Sequence, residues 1–97
     1  MFRHISLLTF SSESTRADHE AARDALLGLP ALIPELRAYT VGIDVGINEG
    51  NATLGVVADF DSVDDYRVYA RQPDHLRIIA ELIRPFLTLR TAIQHDL

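Results

Sequence analysis

Hydrophobic residues along the chain follow first the spacing of a strand and then that of a helix. Residues 2–10 form a short run rich in Phe, Ile, Leu and Thr, closed by a polar cluster at 11–14, which predicts a strand. Apolar residues then recur at helical spacing over 17–29, with charged residues opposite. Thr15 and Asp18 have the spacing of a capping box, and Gly28 and Pro30 end this helix near Leu29.

The middle and the end of the chain predict three more strands and a second helix. Strands are predicted over 36–45 and 52–60, and the glycines and asparagines at 46–51 suit a hairpin loop. A capping signal at 62–65 opens the second helix, which Pro73 breaks because the residue before a proline avoids the α conformation. Pro73 also suits the first turn of a new helix, which precedes a last strand over 87–95.

The resulting order is β-α-β-β-α-β with the second helix split in two. This is the split βαβ arrangement of a ferredoxin-like α+β fold. We therefore expect a single domain over residues 1–97, with a four-stranded antiparallel sheet covered by helices on one face. A chain of 97 residues provides one hydrophobic core and leaves no room for a second.

The strands do not alternate between apolar and polar positions as those of a half-exposed sheet would. In the first strand Leu8 lies on one face while Ile5 and Leu7 lie on the other, and the second and third strands are also apolar on both sides. No helix remains to cover the second face. We therefore expect a homodimer in which two sheets pack face to face as a dimeric α/β barrel, and an arginine at Val41 or Ile43 should dissociate or unfold the protein. The alternative is a monomer with an apolar sheet face.

Composition excludes several kinds of chemistry. The chain has no cysteine, so it has no disulfide, thiolate nucleophile or cysteine-ligated metal. All nine basic residues are arginine, and the absence of lysine excludes a Schiff base. A net charge of -5 without a basic run argues against binding to nucleic acid or to an acidic membrane surface. Because no membrane span or signal-peptide pattern is visible, a cytoplasmic protein is expected.

Two residues near the break in the second helix are candidate catalytic residues. His75 falls in the first turn after Pro73, where a helix N-terminus disfavours the imidazolium and keeps the ring neutral, as a general base requires. Tyr69 lies six residues earlier, and the bend at Pro73 can aim both side chains into one cavity. The alternative is structural, with Tyr69 packed in the core and His75 capping a turn.

A ligand pocket is expected between the first strand and the helices. His4 shares its strand face with Ser6 and Leu8 and should point beneath the helices, where the alternative role is that of a buried, hydrogen-bonded histidine. No pair of histidines or carboxylates has metal-ligand spacing, so neither a metal nor a cofactor is expected. The predicted lining comprises His4, Ser6, Leu8, Leu26, Val56, Ile79 and Phe86.

Two segments occur in the order and spacing of a known family. The beginning, Met1-Phe2-Arg3-His4-Ile5, and the segment Tyr69-Ala70-Arg71-Gln72-Pro73-Asp74-His75 resemble the stress-responsive A/B-barrel (Dabb) family, whose second motif is Tyr-x-x-His-Pro-x-His. Ile33-Pro34 and Leu82-Ile83-Arg84-Pro85, each before a strand, are also similar to it. The resemblance covers nearly the whole chain and implies a dimeric α/β barrel.

The resemblance also implies a use for the pocket. One plant branch of the family contains cofactor-free polyketide cyclases, in which the residues matching Tyr69 and His75 carry the chemistry and the residue matching His4 lines the pocket. Two positions depart from that branch. Gln72 replaces the first histidine of the motif, and Leu54 replaces a pocket histidine of the third strand.

Three functions are compatible with these residues. The first is a cofactor-free cyclase, aldol-type enzyme or lyase acting on a polyketide-like or other carbonyl substrate, with His75 as the base and Tyr69 as the hydrogen-bond donor to the enolate oxygen. The second is a non-catalytic, stress-associated binding or scaffold protein whose cavity is filled by side chains. The third is a haem-binding or oxygen-using monooxygenase with His75 as an axial ligand.

Overall fold

Four strands and three helices follow one another in the predicted order. The computed structural model describes residues 1–97. Its elements are β1 (Phe2–Phe10), α1 (Arg16–Leu27), β2 (Ala38–Ile43), β3 (Leu54–Phe60), α2 (Val63–Arg71), α3 (Pro73–Ile78) and β4 (Leu87–Asp96). A 3₁₀ turn at Leu29–Ala31 follows α1, and a π-helical turn at Ile79–Ile83 follows α3. The ferredoxin-like fold with a split second helix is confirmed.

The four strands form one antiparallel sheet in the order β2-β3-β1-β4. Strand β1 lies in the interior, where it pairs with β3 from Phe2↔Phe60 to Leu8↔Leu54. On its other side it pairs with β4 from Phe2↔Asp96, with a register irregularity between Thr9 and Phe10. The first strand of the chain is therefore held on both sides by strands that come much later.

Local capping and turn chemistry set the ends of α1 and of the hairpin. The capping box at Thr15 is confirmed: its hydroxyl accepts from the Asp18 amide at 3.2 Å, and the Asp18 carboxylate accepts from the Thr15 amide at 2.8 Å. In the loop between β2 and β3, Gly46 and Gly50 have φ angles of 80° and 85°, a conformation that favours glycine. The predicted β2 and β3 were each two residues too long at the loop side.

The break between α2 and α3 occurs at Gln72. This residue is extended (φ -63°, ψ 131°), as expected before Pro73. Its side-chain oxygen accepts a hydrogen bond of 2.8 Å from the His75 amide and so caps α3. After Ile78 the helix widens, and the Arg84 amide donates to the Ile79 carbonyl at 2.8 Å across the π turn. Gln72, the residue that departs from the family motif, therefore caps the helix that carries His75.

The hydrophobic core lies between the helices and one face of the sheet. Residues at alternate positions of β1, from Phe2 to Phe10, are buried on this face. Tyr39, Val41 and Ile43 of β2 also pack against the core, since Val41 pairs with the buried Val56. The expectation that Val41 or Ile43 contributes to a dimer face was therefore wrong. None of the helices combines the length and the apolar character that a membrane crossing requires.

The opposite face of the sheet has no covering element within the chain. Its apolar side chains come from three neighbouring strands, because positions paired across strands share a face. Leu7 is 45% exposed, and both Leu89 and Ile93 are 59% exposed. Ile5 pairs with Val57 on one side and with Ile93 on the other, so that these apolar residues are contiguous. We call the residues Ile5, Leu7, Val57, Leu89 and Ile93 the outer sheet face.

Candidate functional site

A cavity of about 120 Å³ lies between β1, the helix break and the start of β4. Nine of its thirteen lining residues are hydrophobic, and the remainder supply a small number of polar groups, the usual composition of a small-molecule site. The lining residues are His4, Ser6, Leu8, Leu26, Val56, Tyr66, Tyr69, Ala70, His75, Ile79, Ile83, Leu87 and Arg90.

The structure places most of the sequence-predicted site residues on this cavity. Both candidate catalytic residues, Tyr69 and His75, line it, together with six of the seven predicted pocket residues. Phe86 does not. It packs on Phe10, with ring centroids 6.1 Å apart. Phe86 was predicted as pocket lining together with Ile79, but the π turn ends at Ile83 and the chain turns there towards β4.

The side chains of Tyr69 and His75 lie against each other. Their ring centroids are 4.2 Å apart and the ring planes are inclined by 31°. Tyr69 is in the last turns of α2 and His75 is in the first turn of α3, so an unbroken helix would point them in different directions. The extended residue before Pro73 turns the chain and brings the two rings together at one wall of the cavity.

The Tyr69 hydroxyl has a single protein partner. It lies 3.0 Å from the hydroxyl of Tyr39 on β2. Burial raises the pKa of Tyr69 and that of Tyr39, so both phenols are protonated at neutral pH. Either of the two hydroxyls can be the donor in this bond. With Tyr39 donating, the Tyr69 proton is free for another acceptor.

The His75 ring is buried and incompletely hydrogen-bonded. Burial lowers its pKa, and the nearby carbonyls of Ala70 and Tyr69 oppose this only in part. Neither carbonyl has hydrogen-bond geometry to Nδ1, which is buried without a partner. The ring is therefore neutral at pH 7. Neutrality was predicted from the start of the helix, but in the structure burial is its main cause.

A second polar group on the cavity wall is built around His4. Its Nε2 lies 2.9 Å from the Ser6 hydroxyl, and its Nδ1 lies 3.0 Å from the Gln94 amide nitrogen on β4. The ring also packs on Tyr66, with centroids 4.9 Å apart. Burial, followed by electrostatic interaction with Arg90 and with His75, lowers the pKa of His4 to about 4. This ring is neutral as well at physiological pH.

The remaining histidines lie away from the cavity. His19 contacts the Ser14 hydroxyl at 2.8 Å and packs against the ring of Phe10. His95 is exposed on β4. No three histidine or carboxylate side chains of residues 1–97 are clustered so as to hold a metal ion.

Several cavity residues were not predicted from the sequence. Arg90 and Leu87 reach the cavity because β4 pairs with β1 in the register Arg90↔Leu8, and no pattern in one strand indicates which partner residue it will face. Ile83, in the π turn, and Tyr66, one helical turn before Tyr69, also line the cavity.

The chain belongs to the Stress responsive A/B Barrel Domain (Dabb) family, whose sequence profile matches residues 2–96. The family resemblance seen in the two sequence segments is thereby confirmed. No curated protein sequence matches the chain.

Solved structures share the fold over its full length. A dimeric ferredoxin-like protein of unknown function from Thermobifida fusca is 42% identical, with a TM-score of 0.89 and coverage of 99% of this chain and 90% of that chain. Hydroxynitrile lyase from Passiflora edulis is 19% identical, with a TM-score of 0.83 and coverage of 99% and 92%. An antibiotic biosynthesis monooxygenase is 13% identical, with a TM-score of 0.79 and coverage of 100% and 98%. At such identities the last two show a common fold alone.

Proposed function

We propose that this protein is a small enzyme without a cofactor that removes a proton from the carbon next to a carbonyl group. The observation that carries the proposal is the convergence of Tyr69 and His75 on one cavity, with their rings 4.2 Å apart. A base and a hydrogen-bond donor side by side are the two groups that enolate formation requires. The reaction would serve a cyclase, an aldol-type enzyme or a lyase on a carbonyl substrate small enough for a cavity of about 120 Å³.

Each side chain has a defined part in the proposed step. The neutral His75 ring accepts the proton, the electron pair of the broken C–H bond moves into the bond towards the carbonyl carbon, and negative charge collects on the carbonyl oxygen. The Tyr69 hydroxyl, which stays protonated because burial raises its pKa, donates a hydrogen bond to that oxygen. In a cyclase the enolate carbon then bonds to a second carbonyl carbon of the same molecule, and His75 returns the proton to the new alkoxide.

The apolar walls would hold the rest of the substrate. Leu8, Leu26, Val56 and Ile79 surround the polar groups, and His4 with Ser6 lies on the β1 side. Apolar surroundings strengthen electrostatic interactions at the reacting atoms, because little water competes with them. A neutral His4, held between Ser6 and Gln94, acts in this proposal as part of the binding wall and not as the base.

Hydrogen–deuterium exchange tests the proton abstraction without knowledge of the natural substrate. The protein is incubated in D₂O with butanone or methyl levulinate, and loss of the proton signals next to the ketone is followed by NMR. Exchange above the buffer rate is expected for the wild type. The variant His75→Ala should reduce the catalysed rate by about 100-fold or more, and Tyr69→Phe by on the order of 100-fold.

The matched control is His19→Ala, which removes an imidazole that does not line the cavity. It should exchange both ketones at the wild-type rate. Catalysed exchange that survives in His75→Ala would show that another group is the base. If both ketones bind to the cavity but the wild type exchanges neither of them above the buffer rate, the result favours the non-catalytic binding protein.

The haem-binding alternative receives no support from the cavity. Sites for drug-sized ligands measure about 300–1,000 Å³, whereas this cavity measures about 120 Å³. His75 is also packed against Tyr69 with the ring planes inclined by 31°, so its ring is not free to turn towards a haem iron. An oxygen-using reaction without haem would begin with the same proton abstraction, and the exchange experiment detects that step.

We also propose that the working form is a homodimer joined through the outer sheet face. The support is the contiguous apolar surface that no element of the chain covers, together with the dimeric state given for the Thermobifida fusca protein. Packing two such faces together would bury the exposed leucine and isoleucine side chains in an apolar interface. The cavity lies on the other side of the sheet, so each protomer keeps its own site.

A further inference from the structure

The cavity wall carries hydrogen-bond donors and one positive charge but no carboxylate. The chain has 14 acidic residues and a net charge of -5, yet none of the thirteen lining residues is Asp or Glu. In an acidic protein, a site with the opposite charge balance favours an anionic ligand over a neutral or cationic one. The charge comes from Arg90.

Arg90 is an arginine without a partner that faces a cavity. It pairs with Leu8 across the sheet and shares the face of His4 and Ser6. The Arg90 side chain makes no hydrogen bond or ion pair. Because Arg90 is exposed, this side chain lies where the cavity meets solvent. The Arg90 charge acts on groups inside the cavity. It adds to the lowering of the His4 pKa by burial and opposes the rise that burial causes in the pKa of Tyr69. Six other arginines pair with carboxylates: Arg3, Arg16, Arg23, Arg37, Arg67 and Arg77.

The hydrogen bonds around His4 make Ser6 a second donor. An amide nitrogen can only donate, so the Gln94 nitrogen at 3.0 Å requires His4 Nδ1 to accept. The neutral ring then carries its proton on Nε2 and donates it to the Ser6 oxygen at 2.9 Å. The Ser6 hydroxyl proton has no acceptor in the protein, and Ser6 lines the cavity. Its remaining donor is available to a ligand.

We propose that the cavity binds a small carbonyl compound that carries a carboxylate, held at the carboxylate end by Arg90 and Ser6. The carbonyl end then lies towards Tyr69 and His75. Guanidinium and hydroxyl donors both suit a carboxylate, and an arginine can bind it through two parallel hydrogen bonds. This inference rests on the proposed function and adds to it the charge of the substrate and the residues that recognise that charge.

Levulinate and methyl levulinate form a matched pair of probes, since they differ only in the carboxylate charge and one methyl group. Binding is measured by titrating methyl-labelled protein and following the NMR signals of cavity residues such as Leu8 and Ile79. The wild type should bind levulinate about tenfold more tightly than the ester, the ratio expected from one hydrogen bond to a charged group. Added salt should reduce this preference, because Arg90 is open to solvent.

Variants at two arginines separate recognition from general charge. Arg90→Gln should bind both probes equally, and Arg90→Lys should retain part of the preference. Arg84→Gln is the control, because Arg84 is also exposed and unpaired but does not line the cavity. It should leave the preference intact.

The outcomes distinguish this inference from the proposed function. Equal binding of both probes by the wild type, or binding of the ester alone, would refute the anionic substrate and leave the carbonyl pocket standing. A preference that persists in Arg90→Gln would refute the role of Arg90. No change in any cavity signal with either probe would refute both the anion site and the carbonyl pocket. Melting temperatures of the variants check that the fold is retained.

Discussion

Lowering the pH from 7 to 4 should destabilise this protein through His4. The ring is 4% exposed, and burial lowers its pKa from the ordinary 6.5 to about 4. Below pH 6.5 the unfolded chain binds a proton at this position while the folded protein does not. The unfolded state therefore binds more protons, and stability falls as the pH drops from 6.5 towards 4. The stability contribution of His4 is fully present above pH 6.5.

The size of the effect follows from the two pKa values. At 1.36 kcal/mol per pKa unit, the difference between 6.5 and about 4 amounts to about 3 kcal/mol. Carboxylates also titrate in this range, so the loss must be measured against a variant. In His4→Gln the amide can still donate to Ser6 and accept from Gln94, but it does not titrate. Between pH 7 and pH 4 the wild type should lose about 3 kcal/mol more than this variant.

The assay is urea unfolding at a series of pH values and one fixed protomer concentration, because the stability of a dimer depends on concentration. The control is His95→Gln, which removes an exposed imidazole on β4 and keeps the His4 ring and its partners. This variant should lose as much unfolding free energy between pH 7 and pH 4 as the wild type does. Equal losses in the wild type and in His4→Gln, within about 1 kcal/mol, would refute the assignment of a strongly lowered pKa to the buried ring.

Four further substitutions have expected outcomes. Leu7→Arg, on the outer sheet face, should sediment as a folded monomer at micromolar concentration. Val41→Arg, on the core face, should instead unfold the chain. A folded Val41→Arg dimer would contradict the assignment of the two faces. Thr15→Ala removes the cap of α1 and should cost about 1 kcal/mol in urea unfolding, with no loss if the capping box contributes nothing. Tyr39→Phe removes the only partner of the Tyr69 hydroxyl and should cost about 1 kcal/mol. It should also slow the ketone exchange, and an unchanged rate would show that Tyr39 does not orient Tyr69.

The elements of the fold could be predicted because each is encoded locally. The apolar run of β1, the cap at Thr15 and the break at Pro73 lie within a few residues of the structure they determine. The convergence of Tyr69 and His75 could be predicted for the same reason, since both flank that break. Each of these features depends on interactions between residues close together in the sequence.

What could not be predicted depends on pairing between distant strands. The orientation of β2 was wrong because its pattern places Val41 and Ile43 on one side without indicating which side the helices cover. Arg90 was missed because its place opposite Leu8 depends on the register between strands about 80 residues apart. Phe86 was assigned to the pocket, but it lies beyond the π turn, where the chain has left the helix and packs on Phe10. Helix patterns describe faces well, but they do not indicate where a regular helix stops.

Because β1 lies between β3 and β4, the sheet cannot be completed until the last strand has been synthesised. β1 is the first strand to leave the ribosome, but one of its two partners, β4, is the last. Until β4 emerges, one edge of β1 has no partner and its backbone groups can pair with other chains. Contacts between such distant residues also slow folding, because a long loop must close before they form. During synthesis, protection of this edge therefore depends on the speed of translation and on chaperones.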